Sequence, residues 1–367
     1  MTMKRKIHIR WLIAIALISS VAMAPVVTSP FSSGASASTK APDIFHEPWA
    51  IASHGAHLWV VNESKNIVEL DAYTGSVIRI ITAKFDGHLE PVSISYHAGH
   101  LWVISSDSAA ELNASDGAVV RVMRAKSYDF DFDTGPIDFS GQNAWVLNAH
   151  NESVTELDAK SGALIRVVHL HIKAVSKLAP EMFYSPLNMT ISGSRVMVSD
   201  MTITGNQIIE LNAISGSVIR VIKAGNGPWR GTTGIMAADG DYVWITGYGF
   251  GRLVELDSRT GSVIRVIKQK VPVVGYVTAM IVEGSHLWIT NLDNTGSVTE
   301  LNANTGSVIR TMKDTFYRLT KAQIGHSHGG AAFTAVATTR SRVWVVNQFG
   351  SVMEWNSSNG SFIRNIK

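Results

Sequence analysis

The chain has 367 residues, no cysteine and a formal net charge of +3. That length admits one large domain and a leader, and the missing cysteine excludes disulfides and a cysteine-linked lipid anchor. The basic excess sits at the N-terminus: residues 1–37 contain Lys4, Arg5, Lys6 and Arg10 and no acid, so without them 28 basic side chains face 29 acidic ones, a net of −1. Such a balance excludes the electrostatic footprint of a nucleic-acid-binding domain.

The first element in chain order is that leader. Its basic start, the apolar run Trp11–Val27 and the small residues Ala35-Ser36-Ala37 read as a secretory signal peptide over residues 1–37. The expected location is therefore secreted or extracytoplasmic. A membrane enters this reading only if the segment stays uncleaved. Residues 38–47 read as a short polar linker, with Ile44–Glu47 as a candidate edge strand.

From Pro48 onward one pattern recurs seven times, most clearly at Leu287–Met312. Leu287-Trp288-Ile289-Thr290-Asn291 is a run of large and β-branched residues suited to a packed strand. A polar turn leads to Val298-Thr299-Glu300-Leu301-Asn302. The turn Ala303-Asn304-Thr305-Gly306 then leads to Ser307-Val308-Ile309-Arg310. Gly306 suits a hairpin position with φ > 0, and the Asn302 side chain can bond the backbone ahead of it. The equivalent glycines are Gly75, Gly117, Gly162, Gly216, Gly261, Gly306 and Gly360. Ten residues separate Glu from Arg in every copy: Glu69/Arg79, Glu111/Arg121, Glu156/Arg166, Glu210/Arg220, Glu255/Arg265, Glu300/Arg310 and Glu354/Arg364. A closed hairpin places each Glu opposite its Arg, where an exposed pair contributes ~1 kcal/mol or less. Trp59, Trp102, Trp145, Trp244, Trp288 and Trp344 mark the second strand, with Met197 in the fourth copy. A shorter apolar run upstream, opened by Pro48, Pro91, Pro136 or Pro186 in four copies, supplies the first strand.

Four strands copied seven times at this period describe small sheets arrayed around an axis, each burying its neighbours' faces. The predicted fold is an all-β, seven-bladed propeller of four-stranded antiparallel blades over residues 48–367. The last copy ends on its own fourth strand, so the ring is expected to close without a strand borrowed from the N-terminus.

Leu287-Trp288-Ile289-Thr290-Asn291 resembles the Tyr-Val-Thr-Asn motif of the YVTN family of propeller repeats. Val68-Glu69-Leu70-Asp71-Ala72-Tyr73-Thr74-Gly75-Ser76-Val77-Ile78 resembles that family's second half-repeat. The resemblance covers residues 48–367 and implies the fold; such rings host many roles.

Alternating strand direction sorts the connections onto two faces. The first-to-second and third-to-fourth turns share one face, where near-identical turns indicate scaffold. The other face varies across Thr82–Glu90, Met123–Thr134, His169–Ser185, Lys223–Thr232, Lys268–Tyr276 and Lys313–Gly330. Unlike loops on a rigid frame are the usual seat of binding residues. On that face Trp229, Arg230, Tyr248, Phe250, Arg252 and Tyr276 gather aromatic rings and guanidinium groups suited to a small molecule, glycan or protein. The plainer reading is packing over the blade tops. His326 and His328 are candidate ligands for a divalent metal, with His150, His169 and His171 as distant helpers; the plainer reading there is a solvated glycine-rich loop. Asp129-Phe130-Asp131-Phe132-Asp133 could offer three carboxylates to a hard cation, but reads better as a strand edge with its aromatics turned inward. Asn62, Asn148, Asn291 and Asn347, closing the second strand, are expected to bond turn backbone.

No cofactor is identified. Gly-x-Ser-x-Gly, His-Glu-x-x-His and phosphate-binding glycine loops do not occur in the sequence. Virginiamycin B lyase-like rings resemble the chain in the Leu-Trp strand but place an acidic metal ligand after it. Here the position holds Asn62, Ser105, Asn148, Gly247, Asn291 and Asn347, and only Asp200 is acidic. The leading expectation is a monomeric, secreted scaffold that binds a ligand or protein through its variable face. The alternative is a metal-dependent lyase or hydrolase, virginiamycin B lyase-like or lactonase-like, with its site at the central channel.

Overall fold

The computed structural model describes residues 44–63, 66–82, 91–105, 107–130, 134–170, 185–201, 206–223, 234–246, 252–268, 276–292, 296–313 and 333–367. Its 28 strands, β1 to β28 in chain order, form seven four-stranded sheets, each made of four consecutive strands. All pairings within them are antiparallel; blade one is β1 (Pro48–His54), β2 (His57–Asn62), β3 (Ile67–Asp71) and β4 (Val77–Ile81). The first strands are innermost. β1 packs against β5 (Pro91–His97) and β25 (Phe333–Thr339), so blade seven closes directly on blade one.

The second-strand tryptophans hold the blades together. Trp59 packs with Ile94, Leu101 and Val103 of the next blade, and Trp344 of blade seven with Leu58, Val60 and Leu70 of blade one. In blade four Met197 does the same work against Val243 and Ile245. Each ring is withdrawn from water, and removing one costs ~3–5 kcal/mol in transfer and cavity terms.

The Glu/Arg register is as the ten-residue spacing implies: Glu69 faces Arg79 and Glu300 faces Arg310 across their hairpins. The weak-pair magnitude applies only to exposed pairs, and here all seven glutamates are buried. In six blades the first residue of the second strand meets the second carboxylate oxygen. His57 Nδ1 lies 2.7 Å from Glu69, His100 3.0 Å from Glu111 and His286 2.6 Å from Glu300. Asn143 lies 2.6 Å from Glu156, and Arg195 and Arg342 each 2.8 Å from Glu210 and Glu354. Burial pushes Glu111, Glu156, Glu210, Glu255 and Glu354 above the usual carboxylate range despite the adjacent arginines.

The same arginines reach into the next blade. Arg79 donates to Ser115 O and Ala114 O at 2.7 Å, Arg121 to Lys160 O at 2.9 Å and Arg220 to Arg259 O at 2.7 Å. Arg310 donates to Ser358 O at 3.0 Å, and Arg364 closes the circle on Tyr73 O at 3.2 Å. This explains the hairpin glycine twice over. Gly162 has φ +72°, and a Cβ there would sit 2.6 Å from Arg121 Cδ.

Three further expectations meet the structure differently. Ile44–Glu47 forms no strand; Phe45 is instead wedged among side chains of blades one and seven, and Asn62 Nδ2 donates to Ile44 O at 3.0 Å. The acidic-aromatic run is not a strand edge at its start. A single helical turn, α1 (Ala125–Tyr128), ends on Asp129 at φ +61°, and Phe130 is buried; residues 131–133 lie outside the described set. Asn148 and Asn291 donate to strand side chains (Ser153 and Thr155; Thr299) rather than to turn backbone, whereas Asn347 does accept from Phe349 N.

Candidate interaction face

Strand ends fix the two faces. On one, the first-to-second connection is two residues in every blade, from Gly55-Ala56 to Arg340-Ser341. The third-to-fourth turns there repeat one geometry: Asp71, Asp158 and Asn302 each accept from the backbone N–H groups two and three residues ahead. Those bonds, led by the Thr74 N–H, hold the Asp71 carboxyl below its usual range. Such turns satisfy their own polar groups and offer little to a ligand.

The other face does not repeat. Its fourth-to-first connections run from seven residues (269–275) to nineteen (314–332), with 170–184 also long. Most of the candidate binding residues fall beyond the described set. Trp229, Arg230, Tyr248, Phe250, His171, His326 and His328 lie outside the described residues. Arg252 opens β19 (Arg252–Asp257) and Tyr276 opens β21 (Tyr276–Glu283), which puts both at strand ends on this face, in adjacent blades. His150 lies in the turn after β10 (Asn143–Asn148), and His169 ends β12 (Leu164–His169). Among the described residues no three His, Asp or Glu side chains come together as a metal-binding group.

Blades three and four carry a feature on this face that the repeat does not dictate. Asp200, near the end of β14 (Arg195–Met201), is wholly buried. Burial drives its pKa up to about 6, against one side-chain hydrogen bond from Gln207, and the nearby Glu152 carboxylate raises it further. Glu152 stands just before β11 (Ser153–Asp158) with φ +50°, and burial raises its pKa too. Asp129 braces the same turn: its Oδ2 accepts from Ser153 Oγ at 2.6 Å and its Oδ1 from Asn151 Nδ2 at 3.1 Å. A second buried carboxylate, Asp138, belongs to the frame. Its pKa is pushed up by burial, and it accepts from Ile191 N at 2.8 Å across the interface of blades three and four.

Sequence reading singled out Asp200 only as an acidic exception and gave Glu152 no role. The available signal for Asp200 was its departure from the neutral residues that the six other copies hold. The second-strand donors to the buried glutamates were also missed, although all of them stand two residues before the tryptophan or its methionine replacement.

The family model described as outer membrane protein assembly factor BamB matches residues 33–312. Among solved structures, BamB from Moraxella catarrhalis is 16% identical, covers 84% of each chain and has a TM-score of 0.54. The computationally designed Ika8 protein is 15% identical, covers 88% of each chain and has a TM-score of 0.59. At these identities the likenesses establish the fold alone. No curated protein matches the chain.

Proposed function

The chain belongs to the outer membrane protein assembly factor BamB family, and from that premise we propose that it is an extracytoplasmic scaffold whose variable face holds a partner protein. The observation that carries this reading is the asymmetry of the ring. Seven blades share uniform turns on one face, while connections of seven to nineteen residues diversify the other. A rigid frame presenting unlike loops is suited to a specific interface. The family description names assembly of outer membrane proteins, which supports a protein partner ahead of a small molecule or glycan. The basic and apolar start of the sequence, read as a signal peptide over residues 1–37, supports an extracytoplasmic location. The resemblance of the repeat to the YVTN family supports the same propeller scaffold.

The outer rim favours a second contact surface of the same kind. The fourth strands expose Val77, Ile78, Val119, Val120, Leu164 and Ile165, and each leaves one strand edge unpaired. Exposed apolar edges are otherwise avoided in sheets.

Loop exchange tests the reading. Replacing residues 314–332 and 170–184 with short Gly-Ser linkers is expected to leave the ring folded by circular dichroism and to abolish recovery of the co-purifying partner. Substituting the exposed turn residues Thr74 and Thr305 should leave recovery intact. Equal loss from both faces contradicts the assignment.

A further inference from the structure

The two ends of the fourth strands carry different chemistry. At the uniform face, the residue three before the arginine of each Glu/Arg pair is serine or alanine in all seven copies, from Ser76 to Ser361. At the variable face, five consecutive blades close the fourth strand on Arg124, His169, Lys223, Lys268 and Lys313. Lysine commonly guards a strand edge. A guard has no reason to prefer one face, however, and Val218, Ile219 and Val221 of blade four stay exposed along that edge.

The sheet itself does not answer this charge. The residues opposite Lys223 and Lys313 on the third strands are Gln207 and Ser297. In blade five Arg252 stands opposite Lys268, and like charges at opposed positions destabilise a ladder. Blades four to six follow one another round the ring, and they bring Lys223, Arg252, Lys268 and Lys313 to one face. Among the described residues of these blades, the one acid at that face is Asp200, which is buried. Blades one to three have the opposite balance there, with Glu47, Glu63, Asp107, Asp129 and Glu152 against Arg124.

Resting on the reading of the variable face as a protein-binding face, we propose that its basic arc over blades four to six seats an acidic surface of the partner protein. Opposed charge across an interface speeds encounter and fixes orientation. The division of the face favours a protein over a membrane. A plane of anionic headgroups meets repulsion from blades one to three, whereas a partner acidic on one side is turned into a single orientation. Val221, 45% exposed and two residues before Lys223, adds apolar area on the same side of the strand.

The probe is fluorescent poly-L-glutamate, titrated with the full chain by anisotropy at low and at high salt. The wild type is expected to bind at low salt and to release at high salt. Lys223→Glu and Lys313→Glu should each weaken binding about tenfold and keep the wild-type circular dichroism spectrum, since both side chains are exposed. Lys160→Glu, the same charge reversal in an exposed turn of the uniform face, should bind like the wild type. Absence of binding by the wild type, equal loss from Lys160→Glu, or unchanged binding by both lysine variants overturns the proposal. Should one lysine variant fail to fold, the other decides. Sedimentation with phosphatidylglycerol vesicles is expected to show no binding that depends on Lys223 or Lys313; such binding gives the arc to a membrane and overturns the assignment to a protein. The loop exchange scores the partner-binding reading separately, because it is read on partner recovery and not on poly-L-glutamate.

Discussion

Arg310→Ala separates a buried interblade clamp from an ordinary surface ion pair. Glu300 is fully buried, Arg310 Nε lies 2.6 Å from its Oε2, and Arg310 Nη2 holds Ser358 O of blade seven at 3.0 Å. Removing the guanidinium leaves a buried carboxylate with His286 Nδ1, 2.6 Å away, as its remaining side-chain partner. Breaking a buried pair by deleting one member costs ~3–5 kcal/mol. The 24% exposure of Arg310 and the contact that Glu300 keeps with His286 Nδ1 place the expectation at the lower end, ~3 kcal/mol. Glu300→Gln retains shape and hydrogen bonding and should cost ~1–2 kcal/mol. In the double variant the arginine no longer leaves a charge behind, so its loss should be smaller than the sum by ~1–2 kcal/mol. Urea denaturation of the four proteins measures the cycle. A loss below ~1 kcal/mol for Arg310→Ala, the range of exposed pairs, would refute the argument.

Three further outcomes follow from the same geometry. Gly162→Ala combines a φ of +72° with a contact 2.6 Å from Arg121 Cδ and should lower stability by ~2 kcal/mol or more in denaturant melts, whereas Gly55→Ala, with φ +60° and open space around it, should lose only the backbone part. Phe45→Ala removes a buried ring from the seam of blades one and seven and should cost ~3–5 kcal/mol, read as a fall in melting temperature. Asp200 has its folded pKa raised to about 6 from 3.8; its folded form therefore holds the proton more tightly, and the associated stability is complete below pH ~4 and lost as pH rises through about 6. The protein should be more stable at pH 5 than at pH 7.5, by ~1 kcal/mol from this group, and Asp200→Asn should flatten that difference; an unchanged pH profile counts against it.

Periodicity made the ring legible because each blade repeats the same solution to the same packing problem. Trp288 and its equivalents, Gly306 and its equivalents, and the Glu/Arg spacing specify strand order, turn conformation and register directly. What lies between blades was not legible. The reach of Arg79 to Ser115 O joins residues of two repeats, and no spacing within one repeat encodes it. The same applies to the burial of Glu300, which depends on the neighbouring blade as much as on its own hairpin. Phe45 precedes the repeats, so periodicity said nothing of its place in the seam. Asp129 misled because alternating acids and aromatics suit a strand, whereas a tight turn at φ +61° overrides that preference. For the site, the sequence could assign a face but not a grouping. Loops that differ from one another share no pattern.

The measurement closest to the central claim is site-directed photo-crosslinking in cells that make the protein, comparing a photoreactive residue at Arg252 or Tyr276 with one at Thr74 or Thr305. Adducts with a protein partner from the first pair alone are the predicted result. Adducts from the second pair alone, or equally from both, would contradict the division of this ring into a uniform face and a binding face.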